Sequence, residues 1–369
     1  MDLKKIFIKD ARPTKIGGQA ILEGIMMRGA DRTATVIRLP DQSLHIRTEK
    51  LPPAGKIAKI PILRGVAAFV SSLVMGTKIL MYSADVLESA GAEGVEEEES
   101  RMAGFIEKKF GEKAAWNFMI YTSVVLAVLF SVGIFVILPT ALVHLLSGTV
   151  QNEVLLNLIE GVLRIIMFIL YIVLIRKMSD IRRVFQFHGA EHKCIHCFEN
   201  GLPLTPENCA PFYTLHPRCG TSFLMFVMVI SLVLFSLLGW PSLLMRIVSR
   251  LLLIPVVAGL SYELLRWAGR SDNLLVKILS MPGLYLQKLT TCEPEREHLE
   301  VAIAAMKAVL TAPETPTFIG KCDLDGNLIP GTEMTLEEIR ERREAQKEMS
   351  KETKKETKKK TKETQEESK

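Results

Sequence analysis

The residues best suited to chemistry form one run: Phe187-His188-Gly-Ala-Glu191-His192-Lys193-Cys194-Ile-His196-Cys197. On a helix, positions three and four apart share a face. Two imidazoles one turn apart, His188 and His192, can hold one metal ion. Glu191 between them can then activate a bound water as general base. This H-x-x-E-H order inverts the zinc-protease helix motif. The sequence has seven histidines, and four of them (His188, His192, His196, His216) fall in this region. His196 continues the face but cannot share an ion with His188, because eight residues of helix span about 12 Å. Further ligands must come from elsewhere, and His216 and Cys219 are the nearest in the chain. The donor set of nitrogen and sulfur calls for a divalent transition metal, zinc first.

A second grouping uses some of the same residues. Cys194-x-x-Cys197 with His216-x-x-Cys219 has the form of a Cys₃His zinc ribbon, a closed structural site. Membrane-proximal His and Cys that merely pack, without metal, are the third reading. Glu263, in Ser261-Tyr-Glu263, is an intramembrane carboxylate, which is a functional candidate by default. It is either a metal ligand that completes the shell or the partner of an arginine, with Arg266 one turn on. Gln19, Glu23 and Arg28 stand in a glycine-punctuated segment that lacks a phosphate loop's Gly-Lys-Ser/Thr ending. Arg64 is placed to pair with an acidic group or a lipid phosphate.

The elements that must position these residues are mainly helical and apolar. Hydrophobic residues make up 48% of the 369 and aromatics only 7%, which points to aliphatic helices rather than an aromatic-girdled barrel. The net charge of +5 is too small an excess to argue for nucleic acid. Four segments read as membrane spans: Phe118–Leu146, Leu155–Ile175, Ser222–Leu238 and Leu243–Trp267. Residues 61–92 form an apolar stretch interrupted by Arg64, Lys78 and Asp85, expected to be an interfacial or re-entrant helix. Residues 1–60 are extramembrane, with Thr35–Leu39 and Ser43–Thr48 as a β-hairpin around Pro40-Asp41-Gln42. Residues 93–115 are an acidic linker with a short helix. Residues 116–270 form the membrane domain, with a His/Cys-rich loop over 178–221. Residues 271–335 hold an interfacial helix pair broken at Pro282-Gly283, then a helix from Pro294 to Leu310. Residues 336–369 form a Lys/Glu/Thr-rich disordered tail. The fold class is thus a polytopic membrane helical bundle with a small N-terminal β-hairpin region and a disordered charged tail.

Arg176, Lys177, Arg182, Arg183 and Lys193 follow the second span, and Arg266, Arg270 and Lys277 follow the fourth. The positive-inside rule puts both termini and the His/Cys loop in the cytoplasm of a multi-pass plasma-membrane protein. The opening Met-Asp-Leu-Lys-Lys-Ile-Phe-Ile-Lys has no continuous apolar stretch behind it, so insertion is expected through an internal span. Cysteines facing that compartment are expected as thiols or ligands rather than disulfides.

Gly17-Gly-Gln-Ala-Ile-Leu-Glu-Gly-Ile-Met-Met-Arg28, His188-Gly-Ala-Glu-His-Lys193, His216-Pro-Arg-Cys-Gly-Thr-Ser-Phe223, Ser261-Tyr-Glu263 and Leu289-Thr-Thr-x-Glu-Pro294 together resemble the YqhQ-like family of bacterial membrane proteins. That family is a domain of unknown function often labelled a predicted metal-dependent enzyme. The resemblance runs over roughly residues 12–310. It implies a pattern of His188, Glu191, His192, His216, Arg218 and Cys219, without Cys194, and so favours the H-x-x-E-H site over the ribbon. The expected function is a metal-dependent, hydrolase-like site at the cytoplasmic interface. His188 and His192 are ligands, Glu191 is the general base, and His216, Cys219 and Glu263 complete the shell. Its substrates are expected among membrane proteins, peptides or lipid-linked molecules. The alternative is a non-enzymatic membrane scaffold or assembly factor with a structural metal or none.

Overall fold

The structure is a computed structural model. It describes residues 12–91 and 112–346, apart from residues 13, 53–54, 147, 239–241, 269–273 and 313–314, together with Ile6 and Met349. Most of the acidic linker and the Lys-rich end of the tail lie outside the described residues.

An antiparallel five-stranded sheet runs in sequence order: β1 Gly17–Ile21, β2 Gly24–Arg28, β3 Arg32–Arg38, β4 Leu44–Lys50 and β5 Ile319–Cys322. The expected hairpin is β3–β4. The pair β1–β2, read from sequence as a loop, is a second hairpin. Its two-residue turn sets Glu23 at φ 49°, and a Cβ on Gly24 would come 2.3 Å from the Val36 carbonyl oxygen. Side chains alternate across the sheet. Ile25, Met27, Ala34, Val36, Leu44 and Ile46 face one core, and Ile21, Met26, Ile37 and Leu39 face the other. Both faces are covered, which is why β3 is buried throughout.

The first face carries helices α5 (Ser179–Glu199) and α10 (Arg296–Val309). Alanines 302, 304, 305 and 308 let α10 sit close against β2 and β3. The second face receives Ile79, Tyr82 and Val86 from the end of α1 (Leu63–Ser89). Residues 336–346 are helical and dock there too: Ile339 is buried, and Arg343 pairs with Asp85 and Glu88. These eleven residues, expected as the start of a disordered tail, are helical.

The remaining helices are α2 (Glu112–Val132), α3 (Leu138–His144), α4 (Glu153–Ile175), the short α6 (Pro206–Cys209), α7 (Thr221–Ser236), α8 (Leu243–Ala268) and α9 (Leu274–Thr290). A π-helical stretch, Gly133–Ile137, joins α2 to α3. Pro139 has no N–H to give to the Phe135 carbonyl, and Arg164 Nε donates to that carbonyl at 2.8 Å instead. Among the described residues, four helical segments are long and apolar enough to cross a membrane: Leu63–Ser89, Thr122–His144, Glu153–Ile175 and Leu244–Ala268. This set differs from the expected one. Helix α7 has only 16 residues, about 24 Å, short of a ~30 Å hydrocarbon core. Helix α1 is continuous, and its second half lies on the sheet. Helix α9 runs unbroken through Pro282, with Gly283 seated on Ser222, so the expected helix pair is one helix.

The apolar helices also carry charge that hydropathy conceals. Glu160 of α4 pairs with Arg164 at 2.8 Å and with Arg250 of α8 at 2.8 Å, and Thr140 donates to the same carboxylate. Arg246 donates to His144 Nδ1.

Candidate metal centre

Helix α5 lies between the sheet and the rest of the bundle. Residues Gln186 to Cys197 are buried apart from the half-buried His188. The two imidazoles at i and i+4 meet edge to face, with ring centroids 4.5 Å apart. Cys219 enters from the loop that precedes α7. One ligand atom each from His188, His192 and Cys219 lies within 4.8 Å of the others, the one such group among the described residues.

Backbone carbonyls fix which ring nitrogen is available. His188 Nδ1 donates to Thr290 O at 2.9 Å, and His192 Nδ1 donates to Thr214 O at 2.5 Å. A carbonyl cannot donate, so both Nδ1 atoms carry hydrogen and both Nε2 atoms are turned inward. This is how metal-ligating histidines are oriented by their surroundings. His188 Nε2 stands 3.2 Å from Cys219 Sγ, and His192 Nε2 is buried with no hydrogen-bond partner. A buried polar atom left unpaired costs free energy; a cation between the two rings and the sulfur removes that cost. The residues present therefore fit a metal.

Charge makes the same place an ion pair. Burial works against both ionised partners, but the charges of His192 and His188 hold the Cys219 thiol well below its ordinary range. Burial likewise lowers His188, yet the Cys219 thiolate charge and hydrogen bond raise it to about 9. The site is built for a thiolate beside a cation. Glu191 is buried and its carboxyl is pushed up by that burial. Its Oε1 accepts the Gly18 N–H from β1 at 2.8 Å. A Cβ on Gly18 would lie 2.9 Å from the Glu191 carboxyl carbon, so a glycine admits the carboxylate.

His216 does not join this group. The Arg218 N–H donates to its Nδ1 at 3.3 Å, leaving the proton on Nε2, which faces Glu199 Oε2 at 3.6 Å. Burial drives its basicity down to about 3. Gln287 clamps its backbone by accepting its N–H and donating to its carbonyl. His196 donates from Nε2 to Leu215 O and stacks on Phe212. Glu263 is likewise elsewhere. Both its oxygens are taken by Arg64 of α1, the arginine-partner alternative, with Arg64 in place of Arg266. The ribbon does not assemble either. Cys194 and Cys197 are buried with Cys209 in the core beneath the sheet, away from Cys219.

Several contributors carried no sequence signal. The Thr214 and Thr290 carbonyls are backbone groups, visible only in the fold. Glu199, which binds Arg218 through both oxygens at 2.5 Å and Thr14 N–H at 2.7 Å, was masked by its position at the end of the His/Cys run.

Residues 60–312 match the family described as protein of unknown function DUF1385. The chain belongs to this family. A relative in Bacillus subtilis (strain 168), named "Uncharacterized protein YqhQ", is 35% identical over 308 residues, covering 81% of this chain and 93% of the relative. No solved structure matches. His188, Glu191, His192 and Cys219 all fall inside the DUF1385 match, whereas Gly18 precedes it. The family's description and the relative's name carry no reaction.

Proposed function

We propose that this DUF1385 protein is a polytopic membrane protein with a Cys-His₂ metal centre facing the cytoplasm. Its reaction is hydrolysis at the membrane surface. The observation that carries this reading is the pair of Nδ1–H···O=C contacts, which turn two buried Nε2 atoms toward one thiolate sulfur. Three protein ligands leave a position for water, as in catalytic zinc sites. Bound zinc would supply a Lewis acid and a lowered water pKa. Glu191, raised by burial, is suited to accept and return a proton. The Lys and Arg residues that follow α4 and α8 favour placing the sheet, α5 and α10 in the cytoplasm. The substrate class is a membrane protein, peptide or lipid-linked molecule reaching that interface.

A structural metal on a membrane scaffold is the second reading, favoured by the burial of Glu191 and its hydrogen bond to Gly18. Glu191→Gln separates the two. In a deletion strain, a hydrolytic role predicts that this variant keeps stoichiometric metal and loses complementation, since a general base contributes about 10²–10⁴-fold. Full complementation with metal retained would leave the structural reading.

A further inference from the structure

A cavity lies behind the proposed metal centre, on the Nδ1 side of His192. It encloses about 490 Å³ between α5, the segment 210–215 and the end of α9. That volume suits a small ligand. Its polar lining is lopsided in charge. Lys193 and Lys288 contribute two ammonium groups and Glu293 one carboxylate, with Thr214, Thr291 and Tyr213 supplying hydroxyls.

Lys193 is the unusual member. Its side chain is 3% exposed, yet its ion partner Glu293 is 74% exposed. A buried ammonium is normally held by a buried partner, because desolvation is costly. Here Ala210 O accepts one N–H at 2.6 Å and Glu293 a second. An ammonium has three donors. The arrangement resembles a pocket whose own surface carboxylate stands in for an anion from outside. Lys288 waits at the rim, exposed, with its Nζ 5.2 Å from the Tyr285 ring centre. Thr291 gives its hydroxyl proton to the Gln287 carbonyl at 2.8 Å, so across the 3.3 Å contact the Thr214 hydroxyl is the one free to turn its proton into the cavity. Arg176, just past the end of α4, donates to the Lys288 carbonyl at 2.8 Å. The rim is therefore level with the place where that helix leaves the bilayer.

We infer that this cavity binds a phosphate-bearing anion, the headgroup of an anionic lipid, on Lys193, Lys288 and the Thr214 hydroxyl, with Glu293 displaced. Ammonium–phosphate hydrogen bonds are charge-assisted and strong, and anionic headgroups are concentrated where the rim lies. The choice of lipid as the source rests on the membrane placement above. The cavity's chemistry does not, and neither depends on the metal.

The test is native mass spectrometry of the full chain in neutral detergent, titrated with short-chain phosphatidylglycerol, short-chain phosphatidylcholine and inorganic phosphate. Phosphatidylglycerol should bind about tenfold or more tighter than phosphatidylcholine. Lys193→Gln and Lys288→Gln should each weaken it by about tenfold, and Glu293→Gln, which removes the competing carboxylate, should tighten it. Lys288 and Glu293 are exposed, so their variants keep the test decisive if Lys193→Gln fails to fold. Phosphate binding with the same variant pattern, but no preference for phosphatidylglycerol, would keep the anion site and overturn the lipid as its source. Equal binding of both lipids without phosphate binding, or affinities indifferent to Lys288→Gln and Glu293→Gln, would overturn the proposal.

Discussion

The four histidines beside α5 form one continuous row, yet its two ends are built for opposite purposes. His188 and His192 give their Nδ1 protons to carbonyls and turn Nε2 toward Cys219. His196 gives its Nε2 proton to Leu215 O, and His216 turns Nε2 toward Glu199, which Arg218 neutralises. Residue type is the same at both ends. What differs is which nitrogen the backbone and neighbouring charges have claimed. The first end is left with an unpartnered His192 Nε2 and a His188 Nε2 facing the Cys219 sulfur, the donor set of the proposed metal centre. The second is a polar network centred on Glu199, with His216 Nε2 at 3.6 Å from it, that fixes the 199–219 segment.

The largest effect should come from exchanging the roles of the two ends. His192→Ala or Cys219→Ser should weaken zinc by more than about 100-fold, since even outer partners of a ligand cost 10–100-fold. His216→Ala and His196→Ala should retain zinc in elemental analysis of the folded protein. Equal losses at both ends would erase the distinction.

Next in size is Arg218→Met. It leaves the Glu199 carboxylate, 3% exposed, without its cation. Removing one partner of a buried pair costs about 3 kcal/mol, so denaturant unfolding should show a loss of that order with zinc stoichiometry maintained.

The smallest effect is on acid stability, in two windows. Burial first raises Glu199, but the His216 hydrogen bond, the Thr14 N–H and Arg218 together hold it down to about 2. The folded value lies below the unfolded value of about 4.3. Its contribution is therefore complete above that value and lost as pH falls toward 2. His45, on the far face of the sheet against Tyr82, is lowered to about 4 by burial and then by Arg47. The unfolded chain binds its proton first, so stability falls as pH drops from about 6.5 to 4. His196 and His216, lowered by burial to about 4 and about 3, act in the same upper window, so His45→Asn should reduce that slope in part and leave the lower window unchanged in unfolding measured against pH.

Much of the first end was legible in the sequence. Helical spacing put His188, Glu191 and His192 on one face and kept His196 from sharing an ion with His188. Cys219 was among the nearest donors in the chain. His216 and Glu263 were misplaced because sequence spacing cannot show that Glu199 and Arg64 would engage them first. The β3–β4 hairpin was readable from its alternation and its Pro-Asp turn. Strand β1 was not, because Gly17-Gly18 signals a turn, whereas the glycine is there to admit the Glu191 carboxyl. The charges of α4 and α8 were diluted in apolar windows, and only packing shows Glu160 between two arginines.

Two imidazoles and one thiolate make the proposed inner shell. X-ray absorption at the zinc edge of the loaded full chain tests it most directly. The proposed shell predicts one sulfur near 2.3 Å and two imidazole nitrogens near 2.0–2.1 Å, unchanged in His216→Ala and without the sulfur in Cys219→Ser. A shell with several sulfurs, or one with no sulfur at all, would contradict it.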